Sequence, residues 1–407
     1  MKGWKNPILL LTGIGISYLG NWIYLIALNI SVLHSTGSAA AVAGLYIIRP
    51  VAVLITNIWA GSIIDRINKK RLMIIVDCMR GVLVFLLPFL DSITALYLLL
   101  LLINMIGSFF GPSSTIYITK LIPAEKRKRF NSILGMANSG AFLLGPAIAG
   151  FLIMYVGTEV CIFMNAISFM LCALFIGFLP NIEDAEKHVK ALSHWKTVVQ
   201  DWRTVKEFVI KAKFFMFIYV LFQGAWLIGF AIDSQEVTFI KQHLQLTDRD
   251  YGLIVSISGV GTLAGAFCSA IVANKIQLKM YIGIGMLLTS LGYMLFYSSY
   301  NFLTATASFI FLGFFMAFAS TGYSTFFQNN IPVGIMGRFG SLSEMVQGMI
   351  QIILTLILGF LAEWFSLQFV CLAFAAVGTL IALALLAIAL IPSKGRYFTE
   401  QTEIIDP

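Results

Sequence analysis

Charge is what this chain has least of. Asp, Glu, Lys and Arg make up 11% of its 407 residues, against about 25% in an ordinary soluble domain. That excludes a soluble globular fold. It also excludes a disordered chain, which stays unfolded because it is polar and charged. Histidine is scarce as well. His34, His188, His194 and His243 have no second His, Cys or acid at ligand spacing, so no metal site is expected. The five cysteines, Cys78, Cys161, Cys172, Cys268 and Cys371, all lie inside apolar stretches and share no loop. They read as small buried hydrophobes. No phosphate-binding loop and no Ser/His/Asp arrangement is present. Neither a nucleotide cofactor nor an enzyme is therefore expected. The alternation of polar and apolar residues over about 10 positions that marks a porin-like barrel is missing too.

What the chain has is long apolar runs. Apolar residues are 59% of the total, and a membrane-spanning helix needs about 20 of them. Twelve runs fit that length, at 8–33, 40–63, 72–90, 94–119, 130–156, 159–179, 213–240, 251–273, 280–298, 301–327, 339–363 and 367–391. They are numbered here as spans 1 to 12. The first is too long for the apolar core of a signal peptide and lacks a small-residue cleavage site, so it reads as a span. An all-α membrane protein is expected.

The basic residues give the orientation. With twelve spans both termini share one side, and nearly all of the 27 Lys and Arg fall there. Only Lys241 and Arg249 fall on the other side, and Arg49 alone lies mid-membrane. Cytoplasmic termini follow, in a plasma membrane. The net charge of +8 is thereby accounted for by topology rather than by a nucleic-acid partner.

The longest polar piece, 181–212, opens acidic and turns basic and aromatic. Trp195, Val199, Trp202, Val205 and Val209 recur every three or four residues, with Lys196, Arg203 and Lys206 elsewhere on the turn. That spacing describes an amphipathic helix lying on the cytoplasmic leaflet. It divides the chain into a first half, 1–180, and a second, 213–407. A single fixed offset, the one from Arg66 to Lys275, also pairs Lys70 with Lys279, Pro123 with Pro332, Arg129 with Arg338 and Ser132 with Ser341. Six crossings do not invert a repeat, so the halves are expected to be parallel, around a midplane cavity.

The loop between spans 2 and 3 reads Gly61-Ser-Ile-Ile-Asp65-Arg66-Ile-Asn68-Lys69-Lys70-Arg71. It resembles the signature loop of the major facilitator superfamily. The resemblance implies two six-helix halves that work by alternating access. It also implies a cytoplasmic latch in which Asp65 faces a helix N-terminus and the basic residues pair with acids or lipid headgroups. Arg338 and Glu344, at the start of span 11, are expected to belong to that gate. The second-half copy has Asn274 where Asp65 stands.

Span 5 carries Gly145-Pro146 and Gly150, similar to the fifth-helix motif of the family's drug–proton antiporters, with Ala141 where a glycine usually opens it. Span 4, from Asn104 through Gly107 and Gly111-Pro112, resembles the branch that exports macrolides and siderophores. Members of that branch commonly carry Arg where Asn104 stands, which leaves a route other than that Arg, or no proton coupling, open here.

Ionisable residues inside a membrane are costly and mark function. Asp233 and Glu236 lie three apart in span 7, hence on one helical face. They are proton-coupling candidates, or could attract a cationic substrate, or face external water if span 7 ends early. Arg49 precedes Pro50 and could bind an anionic substrate, partner a carboxylate, or be held by carbonyls freed at the proline. Asp77 and Arg80 read as a structural pair. Asn21, Trp22, Tyr24, Asn104, Trp226, Tyr323 and Gln328 are candidates for the cavity wall.

The function these features imply is secondary efflux of a bulky amphipathic compound in exchange for protons, by a monomer in the bilayer. A nutrient importer or facilitator, or an exporter not coupled to protons, is the alternative. A membrane enzyme would need a polar catalytic cluster, and a receptor a larger soluble domain.

Overall fold

The computed structural model describes residues 4–36, 39–182, 195–392 and 397–398. Its helices are α1 (Lys5–Thr36), α2 (Ala39–Arg66), α3 (Lys69–Leu86), α4 (Ile93–Gly107), α5 (Phe110–Leu121), α6 (Ala124–Gly177) and α7 (Trp195–Lys211). After them come α8 (Lys213–Asp233), the short α9 (Glu236–Thr238), α10 (Asp248–Val272), α11 (Leu278–Tyr297), α12 (Phe302–Asn330), α13 (Met336–Trp364) and α14 (Leu367–Ala389).

Eleven helical segments among the described residues are long and apolar enough to cross a membrane. One of them, α6, has 54 residues. At about 1.5 Å per residue it would be more than twice as long as a roughly 30 Å hydrocarbon core is thick. It is interrupted at Gly157, whose φ of 82° lies in the left-handed region that a side chain disfavours. Spans 5 and 6 therefore meet at Gly157, and the number of passes is twelve. Helices α4 and α5 form a single pass with a break at Ser108 and Phe109, just before Pro112.

Span 7 differs from the sequence expectation. Its helix stops at Asp233, not near residue 240. The chain turns at Ser234 and Gln235, and a π-turn then runs from Phe239 to His243. Phe239 and Ile240 fold back to zero exposure among Phe296, Tyr297 and Ile254. The apolar run continues through this turn because the turn, too, is buried.

Contacts divide the chain into two compact units. The first holds 1–123, 140–207 and 331–345; the second holds 124–139, 208–330 and 346–407. Each unit thus takes the opening turns of one helix, α13 or α6, from the other part of the chain. The contact boundary does not follow the expected 1–180 and 213–407 throughout. In the second unit α10 meets α12 through Gly261 and Gly265, where any side chain would strike the backbone at Ile310 and Phe314. Small residues four apart allow this close approach. Large apolar side chains such as Met154, Leu303 and Leu356 are over 65% exposed, a surface made for lipid.

Candidate functional site

The richest cluster of charge in the first unit begins on the last turns of α2. Asn57, Gly61 and Asp65 are four apart and share one helical face. A side chain at Gly61 would come within 2.6 Å of Arg338 Cα, so α2 and the start of α13 touch backbone to backbone there. Asp65 reaches the first N–H groups of α13, which have no partners within their own helix. Its Oδ1 accepts from Gly337 N at 2.9 Å, and Oδ2 from Arg338 N at 3.2 Å and Arg338 Nε at 2.7 Å. The carboxylate is both a cap and an ion-pair partner.

The cluster extends to α7. Asp201 Oδ1 accepts from Arg66 Nη2 at 2.7 Å and from Arg338 Nη1 at 2.8 Å. Arg66 Nη1 lies 2.7 Å from Asp201 Oδ2. The result is an unbroken chain of alternating charge, Asp65–Arg338–Asp201–Arg66. Burial alone would raise the pKa of Asp201. Hydrogen bonds from Arg66 and Ser62 and the charges of Arg338 and Arg66 outweigh burial and hold it below the ordinary carboxylate value.

Sequence reasoning missed Asp201, because it sits among apolar positions on a helix assigned to the membrane surface. The inward face of α7 carries Asp201, Val205 and Phe208, each under 5% exposed, whereas Trp202 is 40% exposed. The apolar face expected over Trp195 to Val209 is thus rotated, with Val209 half-buried. The side chains of Trp195, Lys196 and Val199 lie outside the described residues.

Of the basic residues after Asp65, Arg66 pairs with an acid, Asp201, whereas the lysines reach backbone carbonyls. Lys69 Nζ donates to the Ile67 carbonyl at 2.8 Å. Lys70 Nζ donates to Gly177 O at 2.8 Å and Leu179 O at 2.5 Å, capping the end of α6. Arg71 is exposed. About two turns into α13, Glu344 is exposed, and its Oε2 accepts from Asn57 Nδ2 at 2.9 Å. The charge of the exposed Arg49 acts on Glu344.

The second unit repeats the arrangement without the carboxylate. Near the start of α6, Ser132 Oγ lies 2.7 Å from Ser269 Oγ of α10. Asn131 Nδ2 donates to Thr325 Oγ1 and Gln328 Oε1, each at 3.0 Å. Arg127 Nη1 donates to Asn329 Oδ1 at 2.8 Å. Asn274, the counterpart of Asp65, is exposed. Gln328, a cavity candidate, is buried in this polar contact instead.

The remaining candidates separate into three groups. In the first unit, a side chain at Gly145 would collide with Trp22 Cβ, and Trp22 stands edge-on to Phe142 at 4.9 Å. Gly145 and the half-buried Pro146 thus lie where span 5 packs closely on span 1, whereas Gly150 faces open space. Asn21 accepts from Asn165 at 3.5 Å. Arg80 Nη1 lies 3.2 Å from Asp77 Oδ1, and its guanidinium covers the Phe169 ring at 3.7 Å. The Tyr24 hydroxyl is buried with no hydrogen-bond partner among the described residues. Asn104 donates to the carbonyl of Leu100 in its own helix at 2.8 Å. One turn on, a Cβ at Gly107 would sit 3.5 Å from Arg80 Nε, so Arg80 of α3 brings a positive charge beside the span that lacks one.

In the second unit an aromatic stack joins two of the candidates. Phe222 lies parallel to Tyr323 at 4.9 Å and to Trp226 at 5.6 Å. Gln347 Nε2 donates to the Tyr219 hydroxyl beside them at 2.9 Å. The third group is at the end of α8. Tyr293 donates its hydroxyl to Asp233 Oδ2 at 3.0 Å, and Glu236 Oε1 is buried with no hydrogen-bond partner among the described residues. Asp233 and Glu236 are not on one continuous helix, but both are half-buried across the turn.

Twelve apolar passes, and no strand among the described residues, define a multi-pass membrane protein of the all-helical kind. The chain belongs to the Major Facilitator Superfamily, whose family model matches residues 10–237 and 224–404. It is 25% identical to the MFS-type transporter YfiS of Bacillus subtilis over 97% of this chain and 94% of that one. It is 23% identical to Multidrug resistance protein 2 of the same organism, over 62% of each. Among solved structures, a bacterial homologue of the iron transporter ferroportin, in an outward-facing state with soaked iron, superposes with a TM-score of 0.75. That match has 15% identity and covers 93% of this chain and 98% of the other.

Proposed function

We propose that the protein is a secondary exporter of bulky amphipathic compounds, driven by proton antiport across a bacterial plasma membrane, with both termini cytoplasmic. The observation that carries this reading is the pairing, in one unit, of an aromatic stack at Phe222, Trp226 and Tyr323 with the acids Asp233 and Glu236 on the same helix and its turn. Flat rings bind lipophilic molecules of varied shape. Two neighbouring carboxylates away from bulk water can take up and release protons. The similarity to a multidrug resistance protein supports the same direction.

In this reading the chain is two halves, 1–180 and 213–407, joined by the linker 181–212. Asp65 and Arg338 form the cytoplasmic latch that closes the inner side while the site empties outward. Arg80 supplies the embedded positive charge that Asn104 does not. The alternative is an exporter not coupled to protons, favoured by the self-contained hydrogen bond of Asn104.

Accumulation of the lipophilic cation rhodamine 6G in inverted membrane vesicles separates the two. Uptake that requires an inside-acid gradient, and loses that requirement in Glu236→Gln, is the expected result. Uptake indifferent to the gradient would establish the alternative.

A further inference from the structure

We infer that Asp201 is a positioning residue of the cytoplasmic latch, and that α7 is its third jaw. The inference rests on the latch reading of Asp65 and Arg338. Arg66 and Arg338 are each tied to a carbonyl of their own segment, Ser62 at 2.7 Å and Gly334 at 2.5 Å. Asp201 joins one to the other. Both guanidinium groups bond the same oxygen, Oδ1, at 2.7 and 2.8 Å. Two like charges so close repel unless the carboxylate lies between them. With Asp201 in place, the end of α2 is held to α13 twice, through Asp65 and through Arg66.

The Asp201 side chain is 4% exposed, compared with 81% for Arg203 and 60% for Glu207 on the same helix. The helix therefore grips the latch by one narrow face, and its other face, with Trp202 and Ile210, is exposed. Release of that face would uncover Asp201, Val205 and Phe208. Only Ala212 separates α7 from α8, the helix that carries Trp226 and ends at Asp233. Displacement of α8 on substrate or proton binding would thus pull Asp201 away from both arginines. The latch would lose its bridge at the moment the site changes occupancy.

The test is the distance between spin labels on noncanonical amino acids at positions 71 and 275, both exposed. These labels leave the native cysteines in place. The protein is reconstituted in nanodiscs and measured by pulsed electron resonance. Asp201→Asn is expected to raise the ratio of the long-distance, inward-open population to the short-distance one by about tenfold, the effect of about 1.4 kcal/mol. Asp201→Glu is expected to restore most of the short population. Arg66→Gln, which removes the far end of the bridge, is expected to shift the ratio in the same direction, and it keeps the proposal testable if Asp201→Asn does not fold. Glu207→Gln, on the exposed face, is expected to change nothing.

An unshifted Asp201→Asn beside a shifted Asp65→Asn would overturn the role of Asp201 and leave the latch standing. No shift in either would overturn the latch itself. An equal shift in Glu207→Gln would show that general loosening of α7 acts, not the bridge.

Discussion

The Asp65 carboxylate fills the space that a side chain at Gly337 would need: a Cβ there would lie 2.5 Å from Oδ1, which accepts the Gly337 N–H at 2.9 Å. The glycine and the acid are thus one device, in which the helix N-terminus is left bare so that a carboxylate can reach it. Gly61 does the same from the other side, with no room beside Arg338.

Asp65→Asn is expected to abolish export while expression and membrane insertion stay normal. The amide keeps the shape but loses the charged bond to Arg338 Nε, and charged hydrogen bonds contribute about 1.5–3 kcal/mol. Quantitative immunoblotting beside rhodamine 6G efflux checks it. Wild-type efflux from the variant would remove the latch.

Glycines along the same motifs should respond unequally. Gly145→Leu is expected to abolish transport, because a side chain there collides with Trp22. Gly150→Leu is expected to leave transport within about twofold, since nothing lies within 4 Å of its Cβ position and a lipid-facing leucine is tolerated. Efflux assays of the two variants in parallel decide it, and equal loss would contradict the packing described for span 5.

How the sequence foresaw this structure depends on the range of the physics involved. Spans were legible because lipid demands an unbroken apolar run, and the boundary between spans 5 and 6 at Gly157 lay where expected. The end of span 7 was over-read because Val237 to Ile240 is apolar whether helical or folded back. Asp65 was legible because its motif is local. Asp201 was not, because its partners Arg66 and Arg338 are each over 130 residues away in sequence. Gln328 was assigned to the cavity because helical spacing gives a face but not a depth, and the structure uses it to hold Asn131.

Acid should act on Asp201 only at its extreme. Its pKa is held below the ordinary carboxylate value of about 3.9. A depressed acid contributes stability that is present above the unfolded pKa and is lost as pH falls through the folded one. Docking of α7 is therefore expected to be unchanged between pH 7.5 and 5 and to weaken only below about 4. Hydrogen exchange of residues 200–207 across that range tests this. Weakening near pH 6 would mean that a different group controls the helix.

The aromatic stack should set affinity rather than folding. Tyr323→Ala removes a ring stacked at 4.9 Å on Phe222 and is expected to raise the half-saturating rhodamine 6G concentration about three- to tenfold. Expression should not change. An unaltered concentration dependence would place the substrate elsewhere.

The most direct measurement of proton antiport is proton release on substrate binding. Purified protein in weakly buffered detergent solution, at neutral pH, receives rhodamine 6G while pH is recorded. The wild type is expected to acidify the solution, and the Asp233→Asn, Glu236→Gln double variant to bind without acidifying it. Binding by the wild type with no change in pH would contradict coupling through these carboxylates.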